Sequence, residues 1–375
     1  MKVALIHDYL REYGEAERIL RVLHQMYPDA PVYTAFIDRK RLGEAIALFD
    51  GWDLRTAPSQ HLPGITRYYQ TLRVLQPYCW EAVDLSTYDL VLSSSGHYFS
   101  KAVLTRAETL HISYCHTPPR DLWDASQTVG HRHWYQQWMQ THLRQYDFYA
   151  SQRVDRFITN SEVVARRIRK FYRRSAAVIP PPVNIRGSGE AGNDYYLYVG
   201  ALTPQQQVDL AIAACTQSDR PLWIIGTGSE RTRLEQLAGQ NVRFLGDVPD
   251  EAMTDLYAHA KALLIPCPTA DFGFVAVEAM GHGVPVIASA LSGIREVILN
   301  DRTGLLFAQP TVESLCRAIA QFEGRRFSSQ ACIERAREFA EPVFVSRLEW
   351  LIAQAIDDHK APLTQETSST QSSSF

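Results

Sequence analysis

Short apolar runs alternate with amphipathic stretches along most of the chain. Residues 3–6 (Val-Ala-Leu-Ile) form an apolar run too short for a helix. Polar residues 8–14 follow, and then Ile19, Leu20, Val22, Leu23 and Met26 recur at helical spacing. This pattern predicts strand, loop and helix, the first unit of a Rossmann-like half. Further runs predict strands at 31–36, 88–95, 111–116, 153–161, 195–200, 223–225, 242–246, 262–266 and 284–288. Strands apolar on both faces and separated by helical patterns form parallel sheets covered by helices. The run 178–184 (Val-Ile-Pro-Pro-Pro-Val-Asn) predicts a stiff crossing, because successive prolines hold an extended conformation. The chain is therefore expected to divide into domains 1–178 and 179–341, followed by a helix over 342–358. The Ser/Thr/Gln-rich residues 359–375 are expected to be a disordered tail.

Composition supports this division. With 375 residues, 46% of them apolar, the chain is too long for one ordinary core and has material for two. The net charge is −3 and no Lys/Arg-rich run appears, which argues against a nucleic-acid partner. Cys79, Cys115, Cys215, Cys267, Cys316 and Cys332 lack metal-ligand or redox spacing. They are expected to be reduced and mostly buried, with no metal or cofactor bound. Residues 1–7 read as a strand rather than a signal peptide, and no apolar run approaches membrane-spanning length. The expectation is a soluble cytoplasmic protein, at most peripheral to the inner face of the membrane. Residues 62–82 mix Arg67 and Arg73 with Tyr68, Tyr69, Tyr78 and Trp80. Such a segment either rests on a membrane or an acceptor, or packs its aromatics beneath the first domain, and packing is the favoured reading.

Candidate chemistry concentrates in two stretches. In 270–289, Asp271, Phe272 and Gly273 suit a turn and helix start, residues 274–280 a short helix, and 284–288 a buried strand. Such a helix aims its free amides at whatever precedes it, which favours a phosphate or a sugar oxygen. Glu278, the one ionisable group in an apolar run, reads as ligand-facing or as part of a solvated helix face. In the second stretch a strand ends at His116, and Thr117-Pro118-Pro119 stops it in a fixed turn. Ligands of open α/β sheets bind beyond the carboxyl ends of strands, which suits His116 for chemistry. Ser93, Ser94 and Ser95 end another strand and are expected to present hydroxyls to a ligand. Gly226 and Gly228, after strand 223–225, form a weak phosphate-loop signal.

Phe272-Gly273, Glu278-Ala279, Gly283 and Pro285-Val286 together resemble the signature of the family-4 retaining glycosyltransferases. Tyr114-Cys-His-Thr-Pro-Pro-Arg120-Asp-Leu-Trp-Asp124 resembles a second run of that family. The resemblance covers residues 1–357 and implies the α/β GT-B fold, two facing Rossmann-like domains with parallel sheets, the final helix crossing back onto the first. It implies that Glu278 holds the ribose of a nucleotide donor and that His116 contacts the transferred sugar. Gly14, Gly200, Gly226, Gly228, Phe272 and Gly273 would line the donor, and residues 242–251 would read the base. The implied reaction moves a hexose, mannose-type favoured, from a GDP- or UDP-sugar to a glycan or lipid-linked acceptor with retention.

Four positions depart from the family. Its first signature glutamate is Ala270 here, and its donor-phosphate Arg and Lys are Ala201 and Gln206. The second glycine of its Gly-Gly-Ala-Glu run is Glu15, which is expected to add negative charge beside the phosphates. Losing one oxyanion donor typically costs about 100- to 1000-fold in turnover. Arg295, Lys101 and Arg11 are the candidate replacement cations. Three readings stay open: an active transferase with an altered clamp, a silent binding or scaffold subunit beside a partner transferase, or, ranked last, another GT-B chemistry such as an epimerase.

Overall fold

The computed structural model describes residues 1–124, 134–185, 189 and 192–361. Strands β1 (Val3–His7), β2 (Val32–Thr34), β3 (Leu54–Thr56), β4 (Leu90–Ser95), β5 (Leu110–Cys115), β6 (Arg156–Thr159) and β7 (Ala176–Val178) form one sheet, ordered β3-β2-β1-β4-β5-β6-β7. A second sheet, ordered β10-β9-β8-β11-β12-β13, holds β8 (Tyr195–Val199), β9 (Leu222–Ile225), β10 (Val242–Gly246), β11 (Ala260–Ile265), β12 (Val286–Ser289) and β13 (Gly304–Phe307). Every pairing in both sheets is parallel. The expected α/β class with two parallel sheets is what the chain forms.

Central strands are buried on both faces: β4 and β5 are buried at all six positions each, with polar members such as Ser93 and His111 hydrogen-bonded to each other. Leu5, Leu92, Ile112 and Ile158 pack one face of the first sheet, and Ala4, Ile6 and Val91 the other. The helix Glu341–Lys360 lies on this sheet, with Phe344, Leu348, Ile352 and Ala355 along its inner stripe. It extends past the expected 342–358, and the described chain continues to residue 361. The remainder of the expected tail, 362–375, lies outside the described residues.

The two outer strands of the first sheet, β3 and β7, escape the sequence pattern, so 153–161 is not the last strand of its sheet. Each is three residues long and only partly buried, too short to show a period. The aromatic segment 62–82 divides. Trp80 is fully buried and Tyr69 packs against the core, whereas Tyr68 and Tyr78 are 54% and 71% exposed. No helix among the described residues is long and apolar enough to cross a membrane. All six cysteines are free thiols, five buried and Cys316 half-buried.

In each sheet the strand order reverses once, between β1 and β4 and between β8 and β11. Crevices beyond the carboxyl ends of such strands are where open α/β sheets bind ligands. Both crevices open on the cleft between the sheets, which is spanned by ion pairs from residues of one half to residues of the other.

Candidate functional site

At the first crevice, sheet register sets His7 beside Ser94, and Ser94 beside Tyr114 two residues before His116. A single file of hydrogen bonds results. His116 Nε2 lies 2.8 Å from Ser94 Oγ, which lies 3.1 Å from His7 Nδ1. His7 Nε2 lies 3.2 Å from Glu17 Oε1, and Glu17 Oε2 accepts the Gly14 backbone N–H at 2.9 Å. Glu17 therefore caps its own helix, Glu15–Met26, while holding His7. Burial pushes the Glu17 carboxyl up, but His7 and the Gly14 amide outweigh that and hold it below its usual range. His116 is pushed down to about 4, first by burial and then by neighbouring His7, so its ring is neutral near pH 7. Asp8, which the hydrophobic pattern does not single out, accepts backbone N–H groups from Gly96, Tyr98 and Ser100 and fixes the turn after β4.

The serines 93–95 do not face a ligand. All three are buried, and Ser93 bonds His111 while Ser94 serves the file just described. Ligand-facing hydroxyls would need side chains on the cleft; here β1 and β5 pair along both edges of β4, and packing buries both its faces.

The second crevice carries the signature stretch. Gly273 starts the helix Phe274–Gly281 with φ of 100°, and a Cβ there would meet the Ile294 side chain at 2.5 Å. Glycine is thus required both by the left-handed backbone and by packing. Glu278 points across the cleft to Arg18 of the opposite half, 2.8 Å from Nη1 to Oε1. It is not a merely solvated helix face. Asp271 is gripped by two guanidiniums from the first half, Arg120 and Arg167, and Arg120 also donates to the Thr269 carbonyl at 2.5 Å. Glu296 accepts the backbone N–H groups of Glu162 and Val163, at the start of the helix Glu162–Tyr172. A cavity of about 620 Å³ lies along this cleft. Tyr13 and Arg18 line it from one side, and Val199, Ile225, Tyr257 and Glu278 from the other. The size and the mix of apolar walls with few charges suit a small-molecule ligand.

Several expected site residues stand elsewhere or differ in character. Phe272 is buried against Phe274 and Phe339, so its side chain is core rather than donor-facing. Lys101 is buried in a pair with Asp147, 2.5 Å from Nζ to Oδ1, which also receives Trp123 and Tyr172. A cation spent inside the first half cannot reach the cleft. Arg11 pairs with Asp38 at 3.6 Å and lies over the Tyr69 ring. Arg295 is exposed on the 3-10 turn Gly293–Glu296 and forms no ion pair with Asp271, Glu278 or Glu15 among the described residues. Glu15 faces cleft water but is crowded by protein behind it. Loss of hydration there, with Asp271 and then Glu278 opposing the help of Arg18, raises its carboxyl to about 7. It is therefore not the full negative charge the sequence suggests.

Ala201 is exposed, Gln206 half-buried and Ala270 packed against the second core, and none offers a charge. Gly226 follows β9 with φ of 121°, and a Cβ there would run into the Gly200 carbonyl at 2.1 Å. A close approach of the chain to itself explains that glycine. Gly228 sits just as close to Leu202. Among the described residues no cluster of three or more His, Cys, Asp or Glu could hold a metal ion. Arg18 and Arg167 are among the cleft residues that sequence reading misses. On an amphipathic helix, an arginine that crosses a cleft carries the same pattern as one in solvent.

Two family models match in tandem: glycosyltransferase family 4 over residues 15–186 and glycosyl transferases group 1 over residues 184–339. A D-inositol 3-phosphate glycosyltransferase of Mycobacteroides abscessus is 30% identical over 183 residues, covering 45% of this chain and 41% of that protein. An uncharacterized glycosyltransferase of Methanocaldococcus jannaschii is 26% identical over 198 residues, 52% of this chain and 56% of that one. The matched regions thus span about half of these relatives or less. Among solved structures, a sucrose-phosphate synthase of Thermosynechococcus elongatus superposes with a TM-score of 0.73 at 17% identity, covering 96% of this chain and 100% of that one. Anabaena HepE in complex with UDP superposes with a TM-score of 0.71 at 17% identity, over 94% and 100%. These likenesses establish the fold. With both family models laid end to end on two parallel sheets, the chain belongs to the group 1, family 4 glycosyltransferases.

Proposed function

We propose that this chain transfers a hexose from a nucleotide-sugar to a glycan or lipid-linked acceptor with retention. The observation that carries the reading is the convergence, across one cleft, of three guanidiniums of the first half on carboxylates of the signature stretch. Retaining transfer requires stabilisation of the departing diphosphate. Ala201 and Gln206 supply no charge for this, whereas Arg120 and Arg167 meet at Asp271, beside the start of the helix Phe274–Gly281. A diphosphate there competes with Asp271 for both arginines, and bidentate guanidinium geometry suits phosphate oxygens. The apolar wall of Ile225, Val248 and Met253 suits a base, and Glu278 suits ribose hydroxyls. His116, neutral at the end of β5, suits a sugar hydroxyl. GDP- and UDP-linked donors both fit this chemistry. Trp134, Trp138 and Tyr149 are 80%, 64% and 65% exposed on the helix Trp134–Gln152, which supports peripheral contact with the membrane of a lipid-linked acceptor.

The second reading, a silent binding subunit, is favoured by the uncharged residues at 201, 206 and 270. Thermal unfolding with GDP-, UDP- and ADP-sugars at millimolar concentration separates the two. A donor at about 100 times its dissociation constant stabilises by about 2.7 kcal/mol. A shift with one nucleotide class, followed by transfer with retained anomeric configuration, supports the transferase. No shift with any donor, but a shift once Ala201→Arg and Gln206→Lys are introduced, supports the silent subunit.

A further inference from the structure

The file Glu17–His7–Ser94–His116 has a direction. Glu17 Oε2 is occupied by the Gly14 amide, which can only donate, and an ionised carboxylate has no proton to give. At Oε1 it can therefore only accept, from His7 Nε2–H. With Nε2 protonated, the Nδ1 of a neutral His7 is a lone pair, and Ser94 must donate its one hydroxyl proton there. Ser94 Oγ is then left with lone pairs toward His116, whose Nε2 must carry the proton. His7, Glu17 and Ser94 are 1%, 5% and 0% exposed, so water does not interrupt the order. His116 is partly exposed, and its Nδ1 has no hydrogen-bond partner among the described residues.

We infer that Glu17, His7 and Ser94 act as positioning residues that hold His116 in the Nε2–H tautomer, with Nδ1 as a lone-pair acceptor for a hydroxyl of the bound substrate. The tautomer follows from the hydrogen-bond order with one ring proton on His7. The assignment of the acceptor to a substrate hydroxyl rests on the transferase reading. A carboxylate in the first turn of the helix Glu15–Met26, ten residues after His7, would thus decide whether the ring at the end of β5, 22 residues beyond Ser94, accepts or donates.

Glu17→Gln tests this with almost no change of shape. The Gly14 N–H keeps the amide oxygen, so the amide NH2 faces His7 Nε2 and donates to it. Every link then reverses: His7 takes its proton on Nδ1, Ser94 donates to His116 Nε2, and His116 becomes the Nδ1–H tautomer. The measurement is long-range proton–nitrogen NMR of the ¹⁵N-histidine-labelled full chain at pH 8, above the ordinary histidine range. The His116 signals are assigned from their loss in His116→Gln. The expected wild-type spectrum shows a protonated Nε2 and an unprotonated Nδ1 on His116, and the two patterns exchange in Glu17→Gln. In a Ser94→Ala background, Glu17→Gln should leave the His116 pattern unmoved, because the link is cut. A wild-type His116 protonated on Nδ1 overturns the inference. So does a Glu17→Gln spectrum in which His7 changes tautomer and His116 does not, or a shift that persists without Ser94. Should Glu17→Gln fail to fold, the wild-type tautomers of His7 and His116 decide alone. None of these spectra needs a nucleotide-sugar, so failure of the donor assay does not affect them.

Discussion

Lys101→Met tests whether Lys101 is a structural cation of the first half. Lys101 and Asp147 are 1% and 0% exposed, and Asp147 also accepts from Trp123 Nε1 at 2.6 Å and Tyr172 Oη at 2.8 Å. Methionine keeps most of the stem volume and removes the charge, leaving a buried carboxylate with two neutral donors. Breaking a buried pair in this way costs about 3–5 kcal/mol. A buried carboxylate can instead take up a proton, which against a reference value of 3.9 costs about 4 kcal/mol at pH 7 and about 1.5 kcal/mol at pH 5. The defect relative to wild type is therefore expected to be about 3–4 kcal/mol at pH 7 and about 1–2 kcal/mol at pH 5. The sign follows from proton binding: the folded variant holds a proton that the unfolded chain has released, so its stability gains on wild type as pH falls. Adding Asp147→Asn should recover much of the loss at pH 7, since no charge is then left unpaired. Urea unfolding of the three variants and wild type at both pH values is the assay. A loss below about 1 kcal/mol at pH 7, or one that does not shrink on acidification, refutes the reasoning. Loss of nucleotide-sugar affinity at unchanged stability would return Lys101 to the donor site.

Other cleft residues give predictions of a different kind. Arg120→Ala and Arg167→Ala should each weaken nucleotide-sugar binding by about 10- to 100-fold, the worth of a charged hydrogen bond, read by calorimetric titration; unchanged affinity in both removes them from the clamp. Glu278→Gln should cost under about 1 kcal/mol of stability, because the Arg18 and Glu278 side chains are 40% and 28% exposed. Its effect on donor affinity should be larger than that, and a stability loss without an affinity loss would make the pair purely structural. Glu15, raised to about 7, favours the folded chain fully below the ordinary carboxylate range, and that contribution is lost as pH rises through about 7. Glu15→Gln should therefore melt higher than wild type at pH 8 and lose that advantage by pH 5, and it should flatten the decline of donor affinity over pH 6–8. Equal melting differences at both ends would show that Glu15 does not titrate in this interval.

Alternation of apolar runs with helical periods was enough to predict two parallel sheets, because a strand covered on both faces is mostly apolar rather than alternating. Where that requirement lapses, at the short partly exposed edges β3 and β7, the pattern goes silent. Motif residues were equally legible as types: His116 ends a strand, Gly273 starts a helix with a left-handed backbone, and Glu278 stands alone in an apolar run. Which polar groups meet was not legible. Arg18 and Glu278 are 260 residues apart in sequence, and Arg167 and Asp271 are 104 apart. Periodicity states which face of an element is buried, and it carries nothing about the partner opposite. For the same reason Lys101 looks in sequence like a free cation after a strand, yet it is consumed by Asp147 from a helix 46 residues on. Sequence alone determined the fold class and the family signature, both of which are local patterns of side-chain type. Tertiary structure alone decided the charge network of the cleft and the hydrogen-bond order behind His116, because both depend on distances between elements that only the packed halves set.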